Sequence, residues 1–267
     1  MKPLFVTTSG QGTALVALHG WGMNSSVWDR IRPALEEKFR VSWIDLPGHG
    51  ENYDCKATSL DDIVEQILVL IPENSQIMGW SLGGLIAQAI AQRAPDKINS
   101  LLLINSTPRF SQTSDWLHAM PQKVLDTFAI NLKQDLEGTI KRFIALQFMG
   151  VSGGEAKRIQ REISNKILSS IKTFKNRGGG YSYKEALELG LTILKETDFR
   201  KVVVNQPQYW LFAKKDRLVP AEVINDLKLI RPNAQITLLE NAGHAPFMTH
   251  PTEFLDHVVP FLERYAG

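Results

Sequence analysis

Cysteine is nearly absent: Cys55 stands alone among 267 residues, so no intramolecular disulfide can form and the small disulfide-built scaffolds are excluded. An excess of one charge is also lacking. The 30 Lys and Arg against 28 Asp and Glu leave a formal +2, which supplies no whole-chain attraction to nucleic acid or to an anionic membrane surface. No apolar run approaches the ~18 residues of a membrane-spanning helix; the longest, around Leu101 to Ile104, is strand-sized. The opening MKPLFVTTSG holds too short an apolar stretch for a signal-peptide core. The expectation is a soluble protein of the reducing cytoplasm. The chain also has no G-x-G-x-x-G fingerprint, no P-loop and no His/Cys cluster at ligand spacing, so no cofactor and no metal are expected. Internal repeats and low-complexity tracts are absent too.

What is present is a 43% apolar composition, enough for a substantial buried core. Short runs rich in β-formers read as strands: 14–20 (ALVALHG), 41–48 (VSWIDLPG), 75–80 (SQIMGW), 100–106 (SLLLINS), 206–213 (QPQYWLFA) and 234–240 (AQITLLE). Strands apolar at nearly every position are buried on both faces, as in a parallel sheet covered by helices. Helical spacing occupies 28–39, 60–71 and 82–94 between the first strands, and 219–230 and 251–265 after the last two. From Arg109 to about Arg200 the strand signal vanishes, and 116–120, 123–132, 139–148, 155–171 and 183–194 read as helices. Gly153-Gly154 and Gly178-Gly179-Gly180 punctuate that stretch as turns or hinges. The reading is an α/β doubly wound core, residues 1–108 and 201–267, with a helical cap at 109–200 inserted before the last strands.

Gly79-Trp80-Ser81-Leu82-Gly83 is a G-x-S-x-G motif between a strand and a helix. A serine on so sharp a turn is pushed clear of the sheet, the glycines remove side chains that would collide, and the N–H of Leu82 points where an oxyanion would form. A serine hydroxyl is a poor nucleophile at neutral pH, so a histidine must take its proton and an acid must orient that histidine. Of six histidines, His244 alone lies in a small-residue loop directly after a late strand. His250 precedes a helix-starting proline and His257 falls inside that helix, so both read as structural, as do His19 and His49 near the early strands. For the acid, Asp216 follows YWLFA at the end of a strand where open α/β sheets place their sites. Asp198 and Glu240 are weaker rivals. The loop His19-Gly20-Trp21-Gly22 occupies the position of a second oxyanion donor, the N–H of Trp21.

Taken together, HGWG, DLPGHG, GWSLGG, Asp216 and HAPF resemble the α/β-hydrolase superfamily across essentially the whole chain. Within it, GWSLGGLIAQ, RFIALQFMG (142–150) and NAGHAPFMTHPTEF (241–254) are similar to the carboxylesterases of biotin synthesis that act on pimeloyl-acyl-carrier-protein methyl ester. That resemblance implies a monomeric cytoplasmic serine esterase with no cofactor. It implies Ser81, Asp216 and His244 as the triad, Trp21 and Leu82 at the acyl and oxyanion site, and Phe143, Ile144, Ala145, Leu146 and Gln147 along the substrate channel. It also implies an acyl-carrier protein as partner.

Charge by segment bears on that partner. Residues 141–177 carry nine bases and two acids, a net of +7 that leaves −5 for the remainder. Isoleucines at 159, 163, 167 and 171 mark a buried stripe and leave Arg158, Arg161 and Lys172 off it. With Arg142, the exposed bases Arg158 and Arg161 could dock an acidic carrier, or form no more than a solvated helix face. Other readings stay open: another capped hydrolase of the same fold, such as a short-chain carboxylesterase, lipase or C–C bond hydrolase, or a ligand receptor built on that fold. An aminopeptidase would want acidic groups near the cap, against which the basic segment argues.

Overall fold

Unbroken apolar runs build the interior of a seven-stranded sheet in a computed structural model that describes residues 2–151, 153–175 and 183–266. The strands are β1 (Val6–Ser9), β2 (Thr13–Leu18), β3 (Phe39–Ile44), β4 (Ser75–Trp80), β5 (Ile98–Ile104), β6 (Gln208–Ala213) and β7 (Gln235–Leu239). Their order across the sheet is β1-β3-β2-β4-β5-β6-β7, parallel throughout except that β1 runs antiparallel to β3. Every residue of β4 and β6 is buried, as double-sided coverage requires. The edge strand β7 is only partly buried.

From β2 the chain steps outward to β3 and then crosses to β4 on the other flank. The reversal opens a crevice beyond the carboxyl ends of β2 and β4. The loop after β2 and the turn after β4 therefore meet: a Cβ placed on Gly20 would lie 3.3 Å from that of Ser81.

The helices are α1 (Arg32–Glu36), α2 (Leu60–Leu68), α3 (Leu82–Arg93), α4 (Gln122–Gln134), α5 (Leu136–Gln147), α6 (Gly154–Lys175), α7 (Tyr183–Glu196), α8 (Val223–Ile230), α9 (Pro246–Thr249) and α10 (Pro251–Arg264). Helix α3 is buried from Leu82 through Ala91, so it shows no polar stripe and sits inside the fold. Ser59 caps α2 by accepting from Asp62 N, and Asp135 caps α5 by accepting from Gly138 N. Among the described residues no helix is long and apolar enough to cross a membrane.

Several local expectations are corrected. The helix expected at 28–39 is a 3-10 turn, Ser25–Trp28, followed by the five-residue α1, which starts at Arg32-Pro33. The expected helix at 116–120 is a loop held by bridges between Ser111 and Met120 and between Thr113 and Trp116; the Trp116 indole donates to Arg109 O and its ring lies under Arg200. The expected start of α8 at Val219 is displaced to Val223; Val219 precedes Pro220, which disfavours helical backbone there, and Leu218 N and Val219 N donate to Asp216 in the turn after β6. The turn at Gly178 to Gly180 lies outside the described residues.

Between β5 and β6 the chain forms α4 to α7. The two ends of this insertion are tied at its base: Asp198 takes Arg109 at 2.9 Å and Arg200 at 2.8 Å, and Arg200 also reaches Asp115 at 3.0 Å. Helix α6 buries Ile159, Ile163, Ile167 and Ile171, as their four-residue spacing predicts, and packs against α9. Arg30–Glu155 at 2.7 Å and Lys166–Asp29 at 3.0 Å flank that contact.

Candidate active site

Ser81 occupies the one residue between β4 and α3, and its backbone stands at φ 55°, ψ −117°, a conformation that costs a non-glycine residue about 1–3 kcal/mol. The surroundings enforce it. Ser81 N donates to Ile104 O at 3.0 Å, while Ser81 O accepts from Gly84 N and from Ser106 Oγ, both at 2.9 Å. Only glycine fits on either side: a Cβ on Gly79 would lie 2.4 Å from Gly83 O, and one on Gly83 would lie 2.3 Å from Leu18 O. The spacing of the motif is thus a packing requirement of the turn.

Asp216 and His244 come together from the ends of β6 and β7. His244 Nδ1 lies 2.6 Å from Asp216 Oδ2, with both side chains fully buried. Asp216 Oδ1 accepts from Leu218 N at 2.7 Å and Val219 N at 3.0 Å. A carboxylate can only accept, so the proton sits on Nδ1 of the neutral ring and Nε2 is left as a base. Nε2 has no hydrogen-bond partner among the described residues. The backbone of His244 is pinned by two donors, Trp80 Nε1 and Asn105 Nδ2, each 2.8 Å from His244 O. Asn105 also donates to Gly243 O at 3.1 Å.

The rivals are engaged elsewhere. Asp198 is locked at the base of the insertion, where Arg200 above all holds its carboxyl down to about 2. Glu240 pairs with Lys214 at the surface. The rings of His19 and His49 lie 5.2 Å apart and tilted to one another in the interior, and burial lowers them to about 4 and about 3, so both are neutral at physiological pH. His19 Nε2 accepts from Leu46 N, which gives it a structural task. His250 contacts Thr249, and His257 is exposed on α10.

Trp21 is buried beside the turn, its ring edge-on to Phe143 at 4.7 Å and to Phe128 at 6.1 Å. These three rings, with Met120, Leu125 and Leu218, line a narrow pocket of about 20 Å³ that reaches Ser81. So small a space holds little more than one water. Outside Phe128 an apolar groove of about 620 Å³ runs between α4 and α5, lined by Val124, Ala145, Leu146 and Met149, with Lys123 and Arg142 beside it. Phe128 lines both spaces.

The segment 143–147 is therefore divided, because successive helical residues turn through 100°. Phe143 faces the inner pocket, Ala145 and Leu146 face the groove, and Ile144 is core. Gln147 is buried with both amide atoms unpaired among the described residues, and its carbonyl abuts Gly243. Leu82, buried at the first position of α3, adjoins the turn.

Of the basic residues, Arg142 reaches Asp135 at 3.6 Å, and Arg158 lies 3.5 Å from Glu162 and 3.9 Å from Glu155. Arg161 is exposed with no ion-pair partner among the described residues. Arg177 and the side chain of Lys175 lie outside them.

Residues 13–251 match the family model for the alpha/beta hydrolase fold. The chain belongs to the α/β-hydrolase family. Relatives of this hydrolase include the pimeloyl-acyl-carrier-protein methyl ester esterase of Photobacterium profundum, 36% identical over 96% of this chain and 97% of the relative. The protein of the same name from Nitrosomonas europaea is 36% identical over 96% of this chain and 98% of the relative. Among solved structures, an esterase from Exiguobacterium antarcticum superposes with a TM-score of 0.81 at 21% identity, covering 97% of this chain and 95% of that one. A bromoperoxidase from Bacillus anthracis gives 0.82 at 21% identity, with 97% and 95% covered. At that identity the likeness is one of fold alone.

Motif reading missed Trp80 and Asn105 as holders of His244, and Ser106 as a holder of Ser81. The available signal was position: Asn105 and Ser106 directly follow β5, the strand beside β4.

Proposed function

We propose that this α/β-hydrolase is a serine carboxylesterase that releases methanol from the methyl ester of a pimeloyl chain carried as a thioester on an acyl-carrier protein. The observation that carries the chemistry is the buried Asp216–His244 pair at 2.6 Å, anchored through Trp80 to the turn that presents Ser81. The substrate rests on the family resemblance and on relatives of that name that align over nearly the whole chain.

Ser81 Oγ attacks the ester carbonyl as its proton passes to His244 Nε2. The oxygen of the tetrahedral intermediate is held by the main-chain N–H groups of Trp21 and Leu82, the second at the start of α3, where the helix dipole favours negative charge. Collapse breaks the bond to the methoxy group, which leaves as methanol with the proton from His244. Water then attacks the acyl-enzyme with His244 again as base, releasing the free carboxylate with the thioester at the far end intact. Asp216 orients the imidazole through its contact with Nδ1. The insertion 109–200 is the cap, and the groove between α4 and α5 lies where the acyl chain and its carrier arm would approach Phe128. Arg142, Arg158 and Arg161 are the cations suited to an acidic carrier, Arg161 most of all because no acid pairs with it among the described residues.

Ser81→Ala tests the reading. With a p-nitrophenyl ester the wild type should give a burst of nitrophenol, and the variant should fold normally but lose the burst and at least ~10³-fold in turnover. Substantial residual hydrolysis would sink the assignment.

A further inference from the structure

Glycine is among the poorest helix formers, yet Gly190 sits in the interior of the fourteen-residue α7. Its surroundings explain the choice. A Cβ at this position would lie 2.6 Å from Trp21 Cδ1, 3.1 Å from Trp21 Nε1 and 3.2 Å from Leu82 Cδ2. Both residues assigned as oxyanion donors thus pack against one bare stretch of cap backbone. One turn earlier in α7, Leu187 O accepts from Trp21 Nε1 at 2.9 Å. One turn earlier again, Tyr183 Oη donates to Gly22 O at 2.7 Å, and its ring stands edge-on to buried His49 at 5.3 Å. Three successive turns of one helix hold the loop from Trp21 to Gly22, and each contact crosses from the cap to the core.

We propose that α7 is a clamp that sets the oxyanion site. Tyr183, the Leu187 carbonyl and Gly190 fix Trp21 and Gly22 so that the Trp21 N–H converges with that of Leu82. Tyr183 and Gly190 are positioning residues: they act through Trp21 and Gly22. The consequence is that the cap which covers the site also assembles it, so a displaced α7 leaves Ser81, His244 and Asp216 intact but misplaces one donor. The inference rests on the serine-esterase reading and adds to it what holds the hole in shape.

Removal of a whole oxyanion donor typically lowers turnover ~10²–10³-fold, so loosening one should lower kcat by about 10- to 100-fold with KM for a small ester changed less than about twofold. The test uses the full chain as wild type, Gly190→Ala and Tyr183→Phe, each checked for folding by thermal melting. Steady-state hydrolysis of p-nitrophenyl acetate is read beside inhibition by a small trifluoromethyl ketone, whose adduct with Ser81 carries an oxyanion. The expected result is a fall in kcat matched by a similar fall in ketone affinity. A merely structural role would lower the melting temperature without moving that affinity, and would overturn the proposal. So would a kcat within twofold of wild type in both variants, or a rise in KM alone. Should Gly190→Ala fail to fold, Tyr183→Phe decides the matter by itself. If the wild type hydrolyses no ester, the esterase reading fails, an outcome distinct from an active wild type with unaffected variants.

Discussion

Ser81 is held at φ 55° by three main-chain and side-chain contacts, so strain is stored at the reacting residue and met by its neighbours. Replacement by glycine removes both the hydroxyl and the steric cost. Ser81→Gly should therefore melt higher than Ser81→Ala, by about 1–2 kcal/mol in unfolding free energy, while both are inactive. Equal stability of the two variants in denaturant titration would show that the turn carries no such strain. Asp216 illustrates the complementary case, a buried carboxylate whose two oxygens take Leu218 N, Val219 N and the His244 ring. Such a group costs little to bury because its lone pairs are met, and it leaves the imidazole a single tautomer.

At the scale of elements, β2 and β3 end in loops that bury His19 and His49 as neutral rings, lowered to about 4 and about 3. In the unfolded chain both return to about 6.5, so the unfolded state binds more protons below that value. Their contribution to stability is complete above pH 6.5 and is lost as the pH falls toward the folded values. The melting temperature should decline from pH 6.5 to pH 5, and His49→Gln should flatten the decline; an unchanged slope would contradict the linkage. The same elements show what sequence reading reaches. Six strands are legible from their apolar runs, continuous where both faces are buried, and four of the five helices expected beside them are legible from their spacing, whereas 28–39 is not; Ser81, Asp216 and His244 each follow a strand. β1 is not legible, since VTTS is four residues long, sits at an edge and exposes two of them. Trp116 to Met120 mimics a helix by composition, but its tryptophan is fastened to Arg109 and Arg200 instead. Asn105 belongs to no motif, and its role emerges only once β5 is seen beside β4. Gly190 looks like a weak point in α7 until Trp21 is found against it.

Over the whole molecule, a formal charge of +2 conceals a +7 segment at 141–177. Part of that charge is spent internally, since Arg158 faces Glu155 and Glu162, and Lys166 reaches Asp29 on the core. Arg161, exposed without an ion-pair partner among the described residues, and Arg142, beside the apolar groove, are the two cations on which the docking reading is tested. Arg142→Glu with Arg161→Glu should lower kcat/KM for a carrier-linked ester about tenfold or more at low salt, leave a small methyl ester nearly unaffected, and lose its effect as salt is raised. Equal losses on both substrates would assign these residues to the pocket rather than to docking. The measurement that reaches the central claim most directly is methanol release from methyl pimeloyl carrier-protein thioester, with the carrier product weighed by mass spectrometry. The account predicts stoichiometric methanol and a carrier product 14 Da lighter with its thioester intact, both abolished in Ser81→Ala. Cleavage at the thioester, or methanol released equally by Ser81→Ala, would contradict it.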